Sequence, residues 1–237
     1  AWMSSGTWSL LGATADAPLM NAEALAYNFS SYGSADGGVM PWKNIMGLWL
    51  VQECRRAWAK AGQDFSYDEL IALATDAPPF GPIIVPDAPG FLAPADMPAA
   101  ITDFCTRTGQ TAPQTEGEIV RTALESLALR YRWVLEKLET LLSTRFAALH
   151  IVGGGSQNAL LNQLTADAIG RPVIAGPVEA TALGNILAQA VAMGHLASWD
   201  EARAVVRRST QTQRYAPQPH NREWDAHYAH FRDLLAR

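Results

Sequence analysis

Three consecutive glycines (153–155) follow a short apolar run and precede a helical pattern, and this arrangement restricts the fold more than any other feature. The run 148–152 is typical of a buried strand, and a helix is predicted over about 156–169. A second apolar run at 172–175 and a second helix over about 181–193 follow. A strand–helix–strand–helix unit of this kind predicts a mostly parallel sheet with covering helices.

The rest of the chain shows local signals of varying strength. Residues 1–12 predict two short strands around a tight turn, residues 13–43 a loop rich in glycine, and residues 44–60 a helix. The proline-rich stretch 78–98 predicts a surface excursion around one short strand at 83–85. Further helices are predicted after the capping boxes Ser66/Glu69 and Thr115/Glu118, over 96–107, and in the tail.

Composition limits the class of protein. The 237 residues suffice for one substantial domain, and 49% hydrophobic with 17% charged residues is ordinary for a globular chain. The net charge of −5, without a cluster of Lys and Arg, argues against a nucleic-acid partner. Two cysteines without metal-ligand spacing favour a reducing compartment, so we expect a cytoplasmic protein. No apolar run approaches the ~18 residues of a membrane span, so no membrane partner is expected.

The glycine run is suited to a ligand. Glycines between a strand and a helix let a ligand approach the backbone where a Cβ would block it, and the helix start offers free N–H groups. The alternative is a tight turn without a ligand. Three glycines cost backbone entropy that such a turn would not require, so we favour a ligand-binding corner.

A dinucleotide-binding fold is a competing interpretation of the same corner. The pattern G-x-G-x-x-N places Asn158 where the dinucleotide fingerprint has its third glycine, and Glu179 lies in the distance range of a ribose-binding carboxylate. Glu179 falls in a Gly-Pro loop, however, and the repeated strand–helix pairs of that fold are missing. We disfavour this interpretation and assign no role to Glu179.

The turn at residues 4–7 is a second candidate. A Gly-Thr turn can present a backbone N–H and a hydroxyl group to a phosphate oxygen. Turns of Ser, Gly and Thr are common, so these residues alone favour a turn without a ligand. Taken alone, Asn44 and Gln52 likewise favour a helix cap and a surface amide.

Three segments together resemble a known family. They are SSGTWSL at 4–10, KNIMGLWLVQ at 43–52, and HIVGGGSQNALLNQLTADAIGRPVIAGPVEATALGNI at 150–186. In this order and at these separations they resemble the C-terminal domain of rhamnulokinases, a branch of the FGGY carbohydrate kinases. The resemblance covers essentially residues 1–215 and is weakest in the segment 78–113.

The resemblance implies a fold and a set of ligand contacts. The fold would be an α/β actin-like ATPase (ribonuclease H-like) domain over residues 1–237, a mixed sheet with helices on both faces, and the ligands would be ATP and Mg²⁺. Thr7 would face the β- and γ-phosphates, and Asn44 and Gln52 would contact ATP. Gly154 would let the nucleotide pass close to the sheet. Further ATP-site candidates are Gly6, Gly153, Gly155 and Asn158.

The implied activity is ATP-dependent phosphorylation of L-rhamnulose at its 1-hydroxyl, giving L-rhamnulose 1-phosphate. In such kinases the catalytic base, the first phosphate loop and the sugar pocket lie in an N-terminal lobe, and we expect that lobe to be absent from this chain. We therefore assign no catalytic residue and no metal ligand here, and expect the isolated chain to be inactive. Two alternatives stay open: a non-catalytic nucleotide-binding or interaction module, and an FGGY kinase for another ketose such as xylulose or fuculose.

The remaining candidates favour structural roles. His227 and His230 are three residues apart in a predicted helix, but no third ligand is near, so we expect a solvated tail. His150 falls within a predicted buried strand, which favours a core histidine. The pairs Arg55–Arg56 and Arg207–Arg208 are expected on solvated helix faces.

Overall fold

The computed structural model describes residues 1–219 and 222–236. Its strands are β1 Trp2–Ser5, β2 Trp8–Gly12, β3 Ser30–Gly33, β4 Val39–Met46, β5 Leu149–Val152, β6 Val173–Ala175 and β7 Gln213–Tyr215. Its α-helices are α1 Ala22–Ala26, α2 Trp49–Lys60, α3 Tyr67–Asp76, α4 Met97–Arg107, α5 Glu116–Leu142, α6 Ala159–Ile169, α7 Ala180–Ala192, α8 Trp199–Ser209 and α9 Arg222–Leu235. Short 3₁₀ turns lie at Pro89–Phe91 and Gly154–Gln157.

The strands form one mixed sheet in the order β3-β4-β2-β1-β5-β6-β7. Strands β1, β5 and β6 run parallel, and the other neighbours pair antiparallel. The two predicted βα units are therefore present, and the antiparallel hairpin β1–β2 continues the sheet on their other side. This arrangement confirms the predicted mixed α/β sheet.

The core lies between one face of the sheet and α5. Sixteen of the 27 residues of α5 are buried, which makes it the central helix of the domain. Alternate strand residues point to this face, as the two-residue period of a strand requires. The sheet residues that are at most 1% exposed there include Met3, Leu11, Ile45, Leu149 and Ile151.

The second face of the sheet is covered more thinly. Leu10 and Val152 are half-buried on it, and His150 is exposed, which corrects the expected core histidine. His150 pairs with Trp2 in the parallel ladder, so the strand period directs it away from α5. The segment from α7 to α8 connects β6 to β7. Its Arg203 forms an ion pair at 2.8 Å with Asp36, which lies in the turn between β3 and β4, at the opposite edge of the sheet.

The prediction of a loop over residues 13–43 is wrong. The segment contains α1, β3 and the first part of β4. Its glycines belong to a hairpin turn: Gly37 has φ +87°, and the Ser34 amide donates to the Gly38 carbonyl at 2.8 Å. Since β3 is a half-exposed edge strand, its residues lack the apolar alternation that would have revealed it.

The predicted helix start at Asn44 is also wrong. Asn44 lies in β4 opposite Leu10 of β2, and α2 begins only at Trp49. The local pattern supports the strand, because Lys43 and Ile45 are buried and Asn44 between them is exposed. Asn44 and Gln52 therefore do not share a helix face.

Several local predictions are confirmed. The Ser66/Glu69 capping box is complete, and Gly170 ends α6 in the left-handed conformation. At α5 the Thr115 hydroxyl accepts from the Glu118 amide, but the Glu118 carboxylate accepts from Gln114, one residue before the expected partner. Helix α6 begins at Ala159, three residues later than predicted, because the 3₁₀ turn precedes it.

The proline-rich segment forms no strand at 83–85 among the described residues. Ile83 and Ile84 are fully buried, and their amides donate to the side chains of Gln110 and Ser126 at 2.9 Å. Side chains thus replace the ladder hydrogen bonds that prolines disfavour. His227 lies 2.9 Å from the Phe80 carbonyl oxygen, so this part of the tail packs on the segment instead of being solvated as expected.

Candidate functional site

The β1–β2 hairpin ends in a tip at Gly6, which is half-buried, and Thr7, which is exposed. The Gly6 amide donates to the Trp8 carbonyl at 2.9 Å, which closes the turn. The Thr7 hydroxyl donates to Oε1 of Gln52 at 3.0 Å, and the amide of Trp49 donates to the Thr7 carbonyl at 3.1 Å. The tip is therefore fixed against the first turn of α2.

The glycine corner lies between β5 and α6. Gly153 has φ +85°, and a Cβ there would lie 2.8 Å from the Ser5 carbonyl oxygen. A Cβ on Gly155 would lie only 2.1 Å from Ser5 Oγ. Asn158 caps α6, because its Oδ1 accepts from the Leu161 amide at 2.9 Å.

Gly154 differs from its two neighbours. A Cβ built on it would have open space around it, with no atom within 4 Å. Packing against Ser5 accounts for Gly153 and Gly155 without any ligand, but nothing in the chain requires a glycine between them. Gly154 is therefore the member of the run whose backbone is open to the surroundings.

The tip and the corner meet because β1 and β5 are parallel neighbours. Ser4 pairs with Val152, so both strands end at the same edge of the sheet. Ligands of open α/β sheets bind outside the carboxyl ends of parallel strands. The geometry therefore brings both predicted segments to one place.

A cavity of about 690 Å³ opens between them. Of the predicted site residues it is lined by Gly6, Gln52, Gly154, Gly155 and Asn158. Thr7 is not a lining residue, but its hydroxyl group is hydrogen-bonded to the lining residue Gln52. Gly153 and Asn44 are not among the lining residues, and Asn44 is an exposed residue of β4 opposite Leu10 of β2.

Sequence reasoning missed most of the cavity walls. They are Leu48, Val51, Ser66, Tyr67, Asp68, Ile71, Gln157 and Ala159. Four of these have largely apolar side chains, which suits the flat face of a base. Leu48, Val51 and Gln52 lie on one side of the α2 start at helical spacing, and this pattern could have indicated them.

Charge is unevenly distributed around the cavity. Asp68 is the charged residue in its wall, at the start of α3. Arg55 and Arg56 line an adjoining groove of about 280 Å³ together with Gln52 and Tyr67. The Arg55 guanidinium lies 5.1 Å from the centre of the Tyr67 ring and is half-buried, whereas Arg56 is exposed as expected for a solvated helix face.

A separate open depression of about 650 Å³ lies at the end of α5. Its Arg171 forms an ion pair with Glu139, and it shares no residue with the predicted site. The described residues contain no helix that is both long and apolar enough to cross a bilayer.

Comparison with known proteins decides the family. Residues 1–193 match the FGGY family of carbohydrate kinases, C-terminal domain. The chain belongs to the FGGY carbohydrate kinases. Its FGGY domain accounts for most of its length, including the hairpin tip, the glycine corner and every residue that lines the cavity.

The FGGY chain is similar to rhamnulokinases. It is 48% identical over 235 residues to the rhamnulokinase of Bacteroides thetaiotaomicron, which covers 99% of this chain and 47% of that protein. It is 42% identical over 221 residues to the rhamnulokinase of Enterococcus faecalis, covering 92% of this chain and 44% of that protein. The chain thus spans about half the length of the relatives it matches.

Solved structures show the same fold. Xylulose kinase from Rhodospirillum rubrum has a TM-score of 0.71 at 20% identity, covering 99% of this chain and 46% of that chain. Plasmodium falciparum glycerol kinase with ADP has a TM-score of 0.71 at 16% identity, covering 100% of this chain and 46% of that chain. The chain shares with these kinases the actin-like ATPase fold.

Proposed function

We propose that this chain is the nucleotide-binding half of a sugar kinase that transfers the γ-phosphoryl group of ATP to the 1-hydroxyl of L-rhamnulose. The observation that carries the proposal is the convergence of the hairpin tip and the glycine corner on one cavity. The backbone N–H groups of Gly154 and Gly155 and the Thr7 hydroxyl suit phosphate oxygens, and the apolar walls suit a base.

The residues take distinct roles in this proposal. Thr7 and Gln52 hold the β- and γ-phosphate side, and Gly154 lets the nucleotide lie against the sheet edge. Asn44 remains a proposed nucleotide contact from the neighbouring strand, although it does not line the cavity. Four further residues set the backbone conformation around these contacts: Gly6, Gly153, Gly155 and Asn158.

Mg²⁺ would enter with the nucleotide. The described residues contain no group of three or more His, Cys, Asp or Glu that could hold a metal. Thr7 Oγ1 and Gln52 Oε1 are 3.0 Å apart and offer oxygen ligands, which fits an ion held mainly by phosphate and water. When bound, Mg²⁺ would neutralise charge on the phosphates, and the residues of this chain would hold the phosphates in position.

The sugar and the catalytic base belong to the other half of the kinase in this proposal. Helix α7 contains no charged residue and none of its side chains is buried; Ile186 is 62% exposed. Large exposed apolar surfaces mark interaction sites. We propose that the N-terminal half packs there and supplies the base and the ketose pocket, so that this chain alone does not phosphorylate sugar.

The choice of L-rhamnulose rests on identity. Three rhamnulokinases are 41%, 42% and 48% identical to this chain, whereas two xylulose kinases that share its fold are 19% and 20% identical. This favours rhamnulose over xylulose, and a kinase over a non-catalytic module. A carbohydrate kinase with two buried free cysteines suits the cytoplasm, where we place it.

Titration with ATP tests the proposal through Gly154→Leu. Because the position is open, the leucine should fit the fold and occupy the cavity, lowering ATP affinity at least about tenfold. Gly90→Leu is the matched control, since Gly90 also has open space and lies outside the cavity. Equal ATP binding by the wild type and both variants would contradict the proposal.

A further inference from the structure

Two buried serines face each other just behind the hairpin tip. Ser5 of β1 and Ser9 of β2 are direct partners in the antiparallel ladder, and they are the last pair before Gly6 and Thr7. Their exposed fractions are 2% and 0%. A hydroxyl group buried so deeply is costly unless it has a polar partner, so its presence here requires an explanation.

Tyr131 of α5 provides that partner. Its hydroxyl lies 2.7 Å from Ser9 Oγ, and its ring is fully buried. Ser5 Oγ lies near the same hydroxyl without reaching hydrogen-bond geometry with any described residue. Burial raises the pKa of Tyr131 to about 12, and the two serine hydroxyls act in the opposite direction, so the phenol is neutral when it bridges α5 and the hairpin.

The same serines limit the approach of the surrounding backbone. A Cβ on Gly155 would lie 2.1 Å from Ser5 Oγ, and a Cβ on Gly47 would lie 2.7 Å from Ser9 Oγ. Gly47 begins the short connection from β4 to α2. Three backbone segments therefore close on one pair of hydroxyls: the hairpin, the start of α2 and the glycine corner.

We propose that the Tyr131 hydroxyl is a positioning group for the nucleotide phosphates. It touches no ligand itself. By holding Ser9, and with it the hairpin, at a fixed distance from α5, it sets the tip relative to the glycine corner, so that both address one triphosphate. The inference rests on the proposed nucleotide function, and it adds a residue from the core of the domain to that site.

The positioning role predicts a loss that depends on phosphate. Tyr131→Phe keeps the buried ring and removes the hydroxyl, and we expect affinity for ATP and ADP to fall about tenfold while that for adenosine stays unchanged. A merely structural role would weaken all three ligands together. Tyr228→Phe is the matched control. Tyr228 lies on α9, away from the hairpin, and its hydroxyl also donates a hydrogen bond to a side chain, that of Glu136.

Isothermal titration of each variant with ATP, ADP and adenosine distinguishes the outcomes. Ser9→Ala removes the same hydrogen bond from the hairpin side and replaces Tyr131→Phe if that variant does not fold. Unchanged preference for ATP over adenosine in the folded variant would overturn the positioning role and leave the proposed function intact. A wild-type chain that shows no preference for ATP over adenosine would overturn both.

Discussion

Lys43 places a positive charge in the core of the domain. It is 7% exposed, and its ammonium donates a 2.8 Å hydrogen bond to the Tyr27 carbonyl. Burial lowers the pKa of Lys43 to about 8, the charge of Arg130 acts in the same direction, and the Asp87 carboxylate opposes both. At neutral pH the folded domain therefore holds a charged group whose burial is unfavourable.

The lowered pKa predicts a pH-dependent stability. The ordinary lysine pKa is 10.5, so between about pH 8 and that value the folded state binds fewer protons than the unfolded state. The contribution of Lys43 to the free energy of unfolding must then rise with pH. Between about pH 7.5 and about pH 9.5 the rise should be on the order of 1–2 kcal/mol.

Urea denaturation of the wild type and Lys43→Met at both pH values measures this effect. The difference between the two proteins removes the contributions of the buried cysteines and tyrosines, which titrate in both. The variant also loses the hydrogen bond from Lys43 to the Tyr27 carbonyl, and this loss changes the difference in unfolding free energy by the same amount at each pH. A difference that stays constant or falls with pH would show that Lys43 is not the group responsible.

Also at the residue scale, the sequence could predict that the glycine run forms a corner, but not why each glycine is needed there. The run 153–155 indicated a ligand corner, and the structure explains two of its members by contact with Ser5. Gly154 has open space around it, and there we propose that the nucleotide passes. Which glycine meets a neighbouring strand depends on sheet order, and a linear pattern does not contain that information.

Among the elements, α5 and α7 are opposite extremes. Helix α5 buries 16 residues, whereas α7 buries none and contacts chiefly α8. Helical stability in proteins comes mainly from packing of an apolar face, so the two should open with very different free energies. Both were predicted as helices, because caps and helical periodicity are local signals.

Hydrogen–deuterium exchange can test this contrast. We expect the amides of α7 to exchange at least about a hundredfold faster than those of α5 in the isolated chain, since their opening requires no loss of core. Helix α6 is the control, because it buries seven residues and follows the glycine corner. Protection of α7 equal to that of α6 would contradict the unpartnered surface and its proposed contact with a second half.

Strands were harder to predict than helices. The buried strands β5 and β6 appear as apolar runs, but β3 and β4 carry glycine, proline and exposed polar residues, which predict a loop up to residue 43 and a helix from Asn44. Helix α3 was predicted correctly, yet its Tyr67 and Ile71 were not expected in a cavity wall. Their position depends on how α3 packs beside α2, which is a tertiary property.

For the whole molecule, the central relation is between two loops that are far apart in sequence. The hairpin tip lies near the start of the chain and the glycine corner about 150 residues later, and the parallel pairing of β1 and β5 joins them. The walls contributed by α2 and α3 then enclose the cavity. One triphosphate should therefore touch both loops at once.

Amide NMR spectra recorded with Mn²⁺–ATP test this relation most directly, because the paramagnetic ion broadens only resonances near the phosphates. The account predicts broadening at Gly6 and Thr7 together with Gly154 and Gly155, and none at the Arg171 depression. Broadening of one loop without the other, or of neither, would contradict it.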